Sequence, residues 1–418
     1  MAGANTWKLL TWQGGVETWD GATDLGPFQT RHGEYRGELA RVSNADIEWT
    51  NSARLVYRHF SQDDTNVMVR YDDYSRQIET VNALGHSNRR EYGVPNKRQV
   101  NTTDPEGFKW IETYDRKGRV IAQRNPLGHV THVTYDDHGN RISTTDPLGN
   151  TSWFAYDDRG NMIAQTNALG EVSRTTYHPI FNNPLTQTDP LGWVTTNTYD
   201  AKGNLLAQRD ALGTLATYAY DSRGLVATET DANGNTNRFE YDAAGFRVKE
   251  TDAAGFTRHI RPNEIGWTLA ITNALGEVTT YDHDLNGNTV RTLDPLGRFY
   301  AGTYDANGNL LTQTDPKGQQ ARYTYDALNQ KTVEVDRSGG TNRFAYTPLG
   351  NQSAFTNALG RVTLFSYDAA NRETNTVDAL GHSVRTLYDA NGNAIAIIDS
   401  LGQRWTKVLD QLVPLRRQ

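Results

Sequence analysis

A period of 21 residues constrains this chain more than any other feature. From Tyr135 the sequence reads YDDHGNRISTTDPLGNTSWFA, and Tyr156 opens the next copy. Seventeen slots can be stepped off from Tyr71 to Leu409; fourteen hold Tyr, and the other three are Pro262, His283 and Leu409. Two steps are 22 residues, Tyr92 to Tyr114 and Tyr177 to Tyr199, and Gly93-Val94-Pro95-Asn96 and Phe181-Asn182-Asn183 carry the one-residue turn insertions. A period this regular overrides the two or three ordinary domains that 418 residues would otherwise suggest.

Each unit carries two turn signals. One follows the tyrosine, as in Tyr304-Asp305-Ala306-Asn307-Gly308; the other is Asp/Asn-x-x-Gly, as in Asp294-Pro295-Leu296-Gly297. The second occurs sixteen times, from Asn82–Gly85 to Asp399–Gly402, always with Asp or Asn first and Gly fourth. Asp or Asn at the first position of a type I turn bonds its side chain to the turn backbone, Pro at the second presets φ, and Gly closes a bulged hairpin from the left-handed region. Each unit is therefore predicted to be one β-hairpin with turns at both ends. The structural positions expected to carry it are the repeat tyrosines Tyr114, Tyr135, Tyr156, Tyr199, Tyr220, Tyr241, Tyr304, Tyr325, Tyr367 and Tyr388, and the turn pairs Asp146 and Gly149, Asp189 and Gly192, Asp210 and Gly213, Asp294 and Gly297.

Between the turns, runs of five to seven residues alternate as strands do. Val133, Phe154, Tyr218, Phe239, Tyr323 and Phe344 stand two residues before their tyrosine slots, and Ile142, Ile163, Leu206, Val248 and Leu311 stand seven after, which lines one face with apolar rows. Tyr281-Asp282 is a decoy two residues ahead of its slot, which His283-Asp284 fills. At Pro262 a local irregularity is expected, with Ile260 and Ile265 supplying the apolar contact. Sixteen hairpins give about 32 strands, some 150 Å of sheet at ~4.8 Å per strand, and an open twisted sheet so wide must coil. The fold class is all-β: tandem 21-residue hairpins coiled into a spiral sheet, a shell or partial barrel. A propeller blade needs about twice this period.

The period divides the chain into a non-repeat segment 1–66, the repeat region 67–410 of about sixteen units, and a tail 411–418 of truncated repeat. The first segment holds Trp7, Trp12, Trp19 and Trp49 and is expected to be a β-rich cap over the first edge strand.

Composition bears mainly on what the chain does. There is no Cys, hence no disulfide, thiolate metal site or cysteine nucleophile. A net charge of −7, with both signs in every unit, disfavours a nucleic-acid footprint. No secretory signal is visible at the amino terminus, and the longest aliphatic cluster, Ala394 to Ile398, is too short to span a bilayer, so the chain reads as soluble. The repeated Asp residues could suggest calcium-binding rolls, but those use nonapeptides, and here each Asp has its own turn glycine. His86, His129 and His382 each follow a turn Gly and read as solvent-facing strand starts rather than metal ligands. Adjacent carboxylates such as Asp136-Asp137 and Asp157-Asp158 cannot flank one glycosidic bond, and no nucleophile elbow or phosphate loop is present. No catalytic, cofactor-binding or metal residue is expected.

The pattern Tyr-Asp-x-x-Gly-Asn, five residues, Asp-Pro-Leu-Gly, six residues resembles the YD repeats of Rhs proteins, Tc insecticidal toxin shells and teneurins, over residues 67 to 410. The resemblance implies a hollow shell of spiralling sheet which, in bacteria, encloses a carboxy-terminal toxic domain until delivery. Tyr177-His178-Pro179-Ile180-Phe181-Asn182-Asn183-Pro184 looks like a core motif of that family but sits among ordinary repeats. Neither the family's self-cleaving core nor a toxin domain is found in this sequence. The expected function is thus a non-catalytic shell segment of an Rhs-type polymorphic toxin in interbacterial competition or host-directed toxin delivery, exported from the cytoplasm to the surface or medium without a visible signal peptide. Its cargo would be a separate toxin domain. The alternatives are a cell-surface adhesion or carbohydrate-binding module and, third, an enzyme with residues scattered through the wall. Self-association through an open strand edge is a further expectation.

Overall fold

The computed structural model describes residues 67–72, 74–93 and 97–406, together with the backbone of six strands between Thr6 and His59. The expectations for the side chains of 1–66, for Leu409 and for 411–418 lie outside the described residues.

Every repeat folds as the alternation dictates. The strand Val130–Tyr135 runs to its tyrosine, turns, and returns as Arg141–Thr145, which turns again into Thr151–Tyr156. From Val67–Tyr71 to Arg404–Thr406 the chain makes 33 antiparallel strands, each paired with its neighbours in sequence, and there are no helices among the described residues. Upstream, Ala45–Thr50 and Arg54–His59 extend the same ladder onto Val67–Tyr71. No pairing among the described residues joins first strand to last, so the sheet is one unclosed strip.

The strip is a single layer. Contacting strand pairs are neighbours in sequence, and only four apolar residues, Ala207, Ala270, Ala321 and Ala396, are buried among the described residues. No large side chain is fully enclosed. Along Thr151–Tyr156, Phe154 and Tyr156 are half-buried while Trp153 and Ala155 are exposed, yet Ser143, paired with Trp153 on the second face, is buried. The tyrosine face thus carries the aromatic rows, and the other face carries small buried side chains between exposed ones. Stability therefore comes from cross-strand neighbours repeated along the ladder, as in other solenoids, rather than from a central core.

The register shifts by one residue at the described tyrosine slots other than Tyr92, for example between Thr134 and Tyr135. This bulge accommodates Pro262, whose strand Thr257–Pro262 pairs with Thr268–Thr272 in the common register. The irregularity expected there is absent, because a bulge is a place in a sheet where a missing N–H is tolerated. Ile265 also departs from expectation: it projects from the turn and is exposed, so only Ile260 belongs to the packed row. The histidine expectation needs a like correction, since His86 and His129 are half-buried and only His382 is exposed.

Candidate functional site: the coiled wall and its two edges

Both turn families share one geometry. In the turn from Asp146, the Asp146 N–H donates to the carbonyl of Asn150 and the Gly149 N–H to the carbonyl of Asp146, at 2.9 and 3.0 Å. Asp146 Oδ1 accepts the N–H groups of Leu148 and Asn150, and Oδ2 accepts the Asn150 side-chain amide. Gly149 sits at φ +89°, in the region where a side chain would be strained. Asp189 with Gly192 and Asp294 with Gly297 repeat this. Asp210 and Gly213 depart from it: they pair directly in the ladder, the Gly213 N–H donates to Asp210 Oδ1, and the outgoing strand lengthens to Gly213–Tyr220.

The turn after the tyrosine tolerates substitutes that keep an acceptor in place. Thr347 Oγ1 accepts from Leu349 and Asn351, and His178 Nδ1 accepts from Ile180 and Phe181. Asn329 and Asn371 replace the glycine at φ +63° and +66°. Such bonds lower the pKa of several turn carboxyls. The side-chain amides of Asn140, Asn161 and Asn288 hold Asp136, Asp157 and Asp284 below the ordinary Asp value, with backbone N–H groups assisting.

The tyrosines join one hairpin to the one before. Tyr220 Oη donates to the carbonyl of Leu205 at 2.8 Å, and Tyr135, Tyr156, Tyr199, Tyr241, Tyr304, Tyr325, Tyr367 and Tyr388 likewise reach a carbonyl fifteen residues earlier. At its slot His283 holds the same bond, with Nε2 2.8 Å from the carbonyl of Thr268. Tyr114 differs, donating to Glu112 Oε2 at 2.6 Å; burial and that carboxylate push its phenol up to about 12. This hydroxyl ladder was not visible in the sequence, because its acceptor is backbone and carries no residue identity.

The coil itself is recorded by a contact across 245 residues, in which Asn391 Nδ2 donates to Asp146 Oδ2 at 2.7 Å. Asn391 lies on the edge formed by the tyrosine-side turns, Asp146 on the opposite, leucine-bearing edge. Counting back by hairpins sets the turns from Asp326, Thr347, Asp368 and Asp389 against those from Asn82, Asp104, Asn125 and Asp146. Burial follows that count. Ala327, Leu328, Pro348, Leu349, Ala369 and Ala370 are half-buried, while Arg116, Lys117, Asp137, His138, Lys202 and Arg223 at equivalent positions are exposed. On the other edge Leu84, Leu127 and Leu148 are 43, 39 and 43% exposed, whereas Leu212, Leu275, Leu380 and Leu401 are 87, 81, 78 and 82% exposed. Twenty-three consecutive strands, Thr151–Tyr156 to Ser383–Tyr388, lie between the two contacting turns. At ~4.8 Å per strand one coil is about 110 Å around and roughly 35 Å across, wider than the 16–18-stranded barrels that hold an aqueous channel.

Among the described residues no cluster of three metal-ligating side chains occurs. A depression of about 550 Å³ around Asp157, Arg159, Arg174, Tyr177 and Pro179 is open to solvent.

A coiled, single-layer strip of β-hairpins defines the chain as an all-β repeat protein. The RHS Repeat family profile matches it at residues 114–151, 181–215, 199–236, 220–257, 304–341 and 346–383, so the chain carries RHS repeats. Its fold is similar to the crystal structure of TcdB2-TccC3, with a TM-score of 0.71 at 15% identity, over 87% of this chain and 24% of that one. The chain thus spans about a quarter of the chain it matches, and the likeness speaks to the fold alone. A related crystal structure, TcdB2-TccC3-TEV, aligns at a TM-score of 0.39 with 18% identity, over 85% of this chain and 20% of that one. The Photorhabdus luminescens Tc holotoxin pore aligns at 0.37 with 16% identity, over 84% and 21%. No curated protein matches the chain.

Proposed function

We propose that this chain is a non-catalytic wall segment of an Rhs-type toxin shell, which encloses and delivers a toxic cargo domain supplied from outside residues 1–418, in interbacterial competition or against a host. The observation that carries the reading is the coil of twenty-three strands per turn with no second layer on either face of the described strip. Such a wall separates an interior from solvent while leaving that interior free. The fold likeness to TcdB2-TccC3 supports the same role. Export from the cytoplasm follows from it, since a cargo of this kind acts outside the producing cell.

The test is protection. The chain is co-expressed with a candidate toxin polypeptide, and the purified complex is challenged with protease. The cargo should survive protease that digests it when alone; equal digestion with and without the chain counts against enclosure. A second reading, carbohydrate adhesion at a cell surface, draws on Trp153 and Trp193, each 54% exposed and so available for stacking. Glycan-array binding lost in Trp153→Ala and Trp193→Ala, at unchanged melting temperature, would favour adhesion.

A further inference from the structure

The two edges of the strip are the two halves of one interface, and the chain uses that interface on itself only in part. Four leucine-edge turns, from Asn82 to Asp146, are half-covered by the tyrosine-edge turns of the following coil. Beyond Asp146 the leucine edge runs on bare, as does the tyrosine edge before Asp326.

The bare edges match in spacing. On the tyrosine edge Ile180, Ile265 and Leu285 are 78, 62 and 99% exposed, with four hairpins between the first two and one between the last two. Leu275, Leu359 and Leu380 repeat that spacing on the leucine edge and are 81, 78 and 78% exposed. The basic residues on the bare tyrosine edge lie along it rather than away from it. Lys117 Nζ donates to the Asp137 carbonyl and Lys202 Nζ to the Ser222 carbonyl of the neighbouring turn, at 3.1 and 3.2 Å.

We propose that a second copy of the chain docks by its tyrosine edge onto the free leucine edge, coil upon coil, in the geometry the chain already adopts between Asp389 and Asp146. The contact is heterologous, so each copy leaves one edge of each kind open, and association proceeds head to tail as concentration rises. It is distinct from pairing through the end strand Arg404–Thr406, which would use backbone hydrogen bonds. The inference rests on edge geometry and stands whether or not the shell holds a cargo.

Sedimentation velocity on the full chain over a concentration series tests it. The parent should show mass rising with concentration. The triple variant Leu275→Lys, Leu359→Lys, Leu380→Lys should weaken association by about tenfold or more, the scale of one interface hot spot, with its melting temperature unchanged because these side chains are exposed. If the triple variant melts early, Leu380→Lys alone gives the same comparison. A second triple variant, Ile180→Lys, Ile265→Lys, Leu285→Lys, should behave alike. Mixing the two monomeric variants, each with one intact edge, should yield a 1:1 dimer that grows no further. Trp405→Pro, which blocks end-strand pairing, should leave association intact. A parent that stays monomeric, a leucine variant that associates as the parent does, a mixture that forms no dimer, or association abolished by Trp405→Pro would each overturn the proposal.

Discussion

At the scale of single residues, the tyrosine acts through its hydroxyl as much as its ring. Tyr220 is half-buried, and its hydroxyl satisfies the carbonyl of Leu205 on the preceding hairpin. Tyr220→Phe keeps the ring and removes the donor, so a loss of about 1 kcal/mol is expected. Tyr220→Ala also removes the packed ring and should cost roughly 2–3 kcal/mol, less than for a fully enclosed aromatic. Thermal melts of the two variants check both, and equal melting of Tyr220→Phe and parent would remove the hydroxyl from the account. Gly287 makes a sharper case. It sits at φ +88°, and an added Cβ would meet the Trp267 ring at 2.8 Å. Gly287→Ala should therefore lower the melting temperature by more than Gly297→Ala, where φ is +75° but the space is open. The tyrosine positions were legible from the period, and so was the demotion of Tyr281 in favour of His283. The Gly287–Trp267 contact was not, because Trp267 belongs to the previous hairpin and no local pattern links the two.

At the scale of the hairpin, the turn carboxylates couple stability to pH. Asp136, Asp157 and Asp284 titrate below the ordinary value of 3.8 because side-chain amides and backbone N–H groups bind their charged form. A carboxyl depressed in the folded state contributes stability above its unfolded value and loses it as pH falls through the folded value. The fold should thus hold down to about pH 4 and weaken steeply below it, because the same turn recurs along the strip. Circular dichroism against pH measures this, and unchanged signal to pH 2 would contradict it. The tyrosines act at the other limit. Burial raises the phenols of Tyr220, Tyr325 and Tyr367, so their contribution is complete below the ordinary value of 10.0 and is lost as pH rises through the folded values. The sequence showed where each turn lies, because Asp, Pro and Gly act locally. It did not show that Asp210–Gly213 closes more tightly than its neighbours, since its residues fit the common motif.

At the scale of the molecule, strand number announced coiling, but the pitch and circumference were not readable from the repeat. Those depend on small twists summed over many strands, and only a contact between coils reports them. One trace was present in the residues. The covered tyrosine-edge turns carry Ala327-Leu328, Pro348-Leu349 and Ala369-Ala370, where the bare turns of the first coil carry Arg116-Lys117, Asp158-Arg159 and Ser222-Arg223. At these positions the covered turns carry no charge, whereas the bare turns carry either charged residues or exposed apolar ones such as Ile180 and Leu285. A shell role depends on the strip stacking coil upon coil, twenty-three strands per turn. Since the chain has no native Cys, Pro147→Cys and Ala390→Cys can be spin-labelled without background, and double electron–electron resonance then reads the distance across the coil contact. A narrow distribution at a few strand spacings, ~15–25 Å with the labels included, is the result the coil predicts. A broad distribution centred well beyond ~50 Å, as an uncoiled strip of twenty-three strands would give, would contradict it.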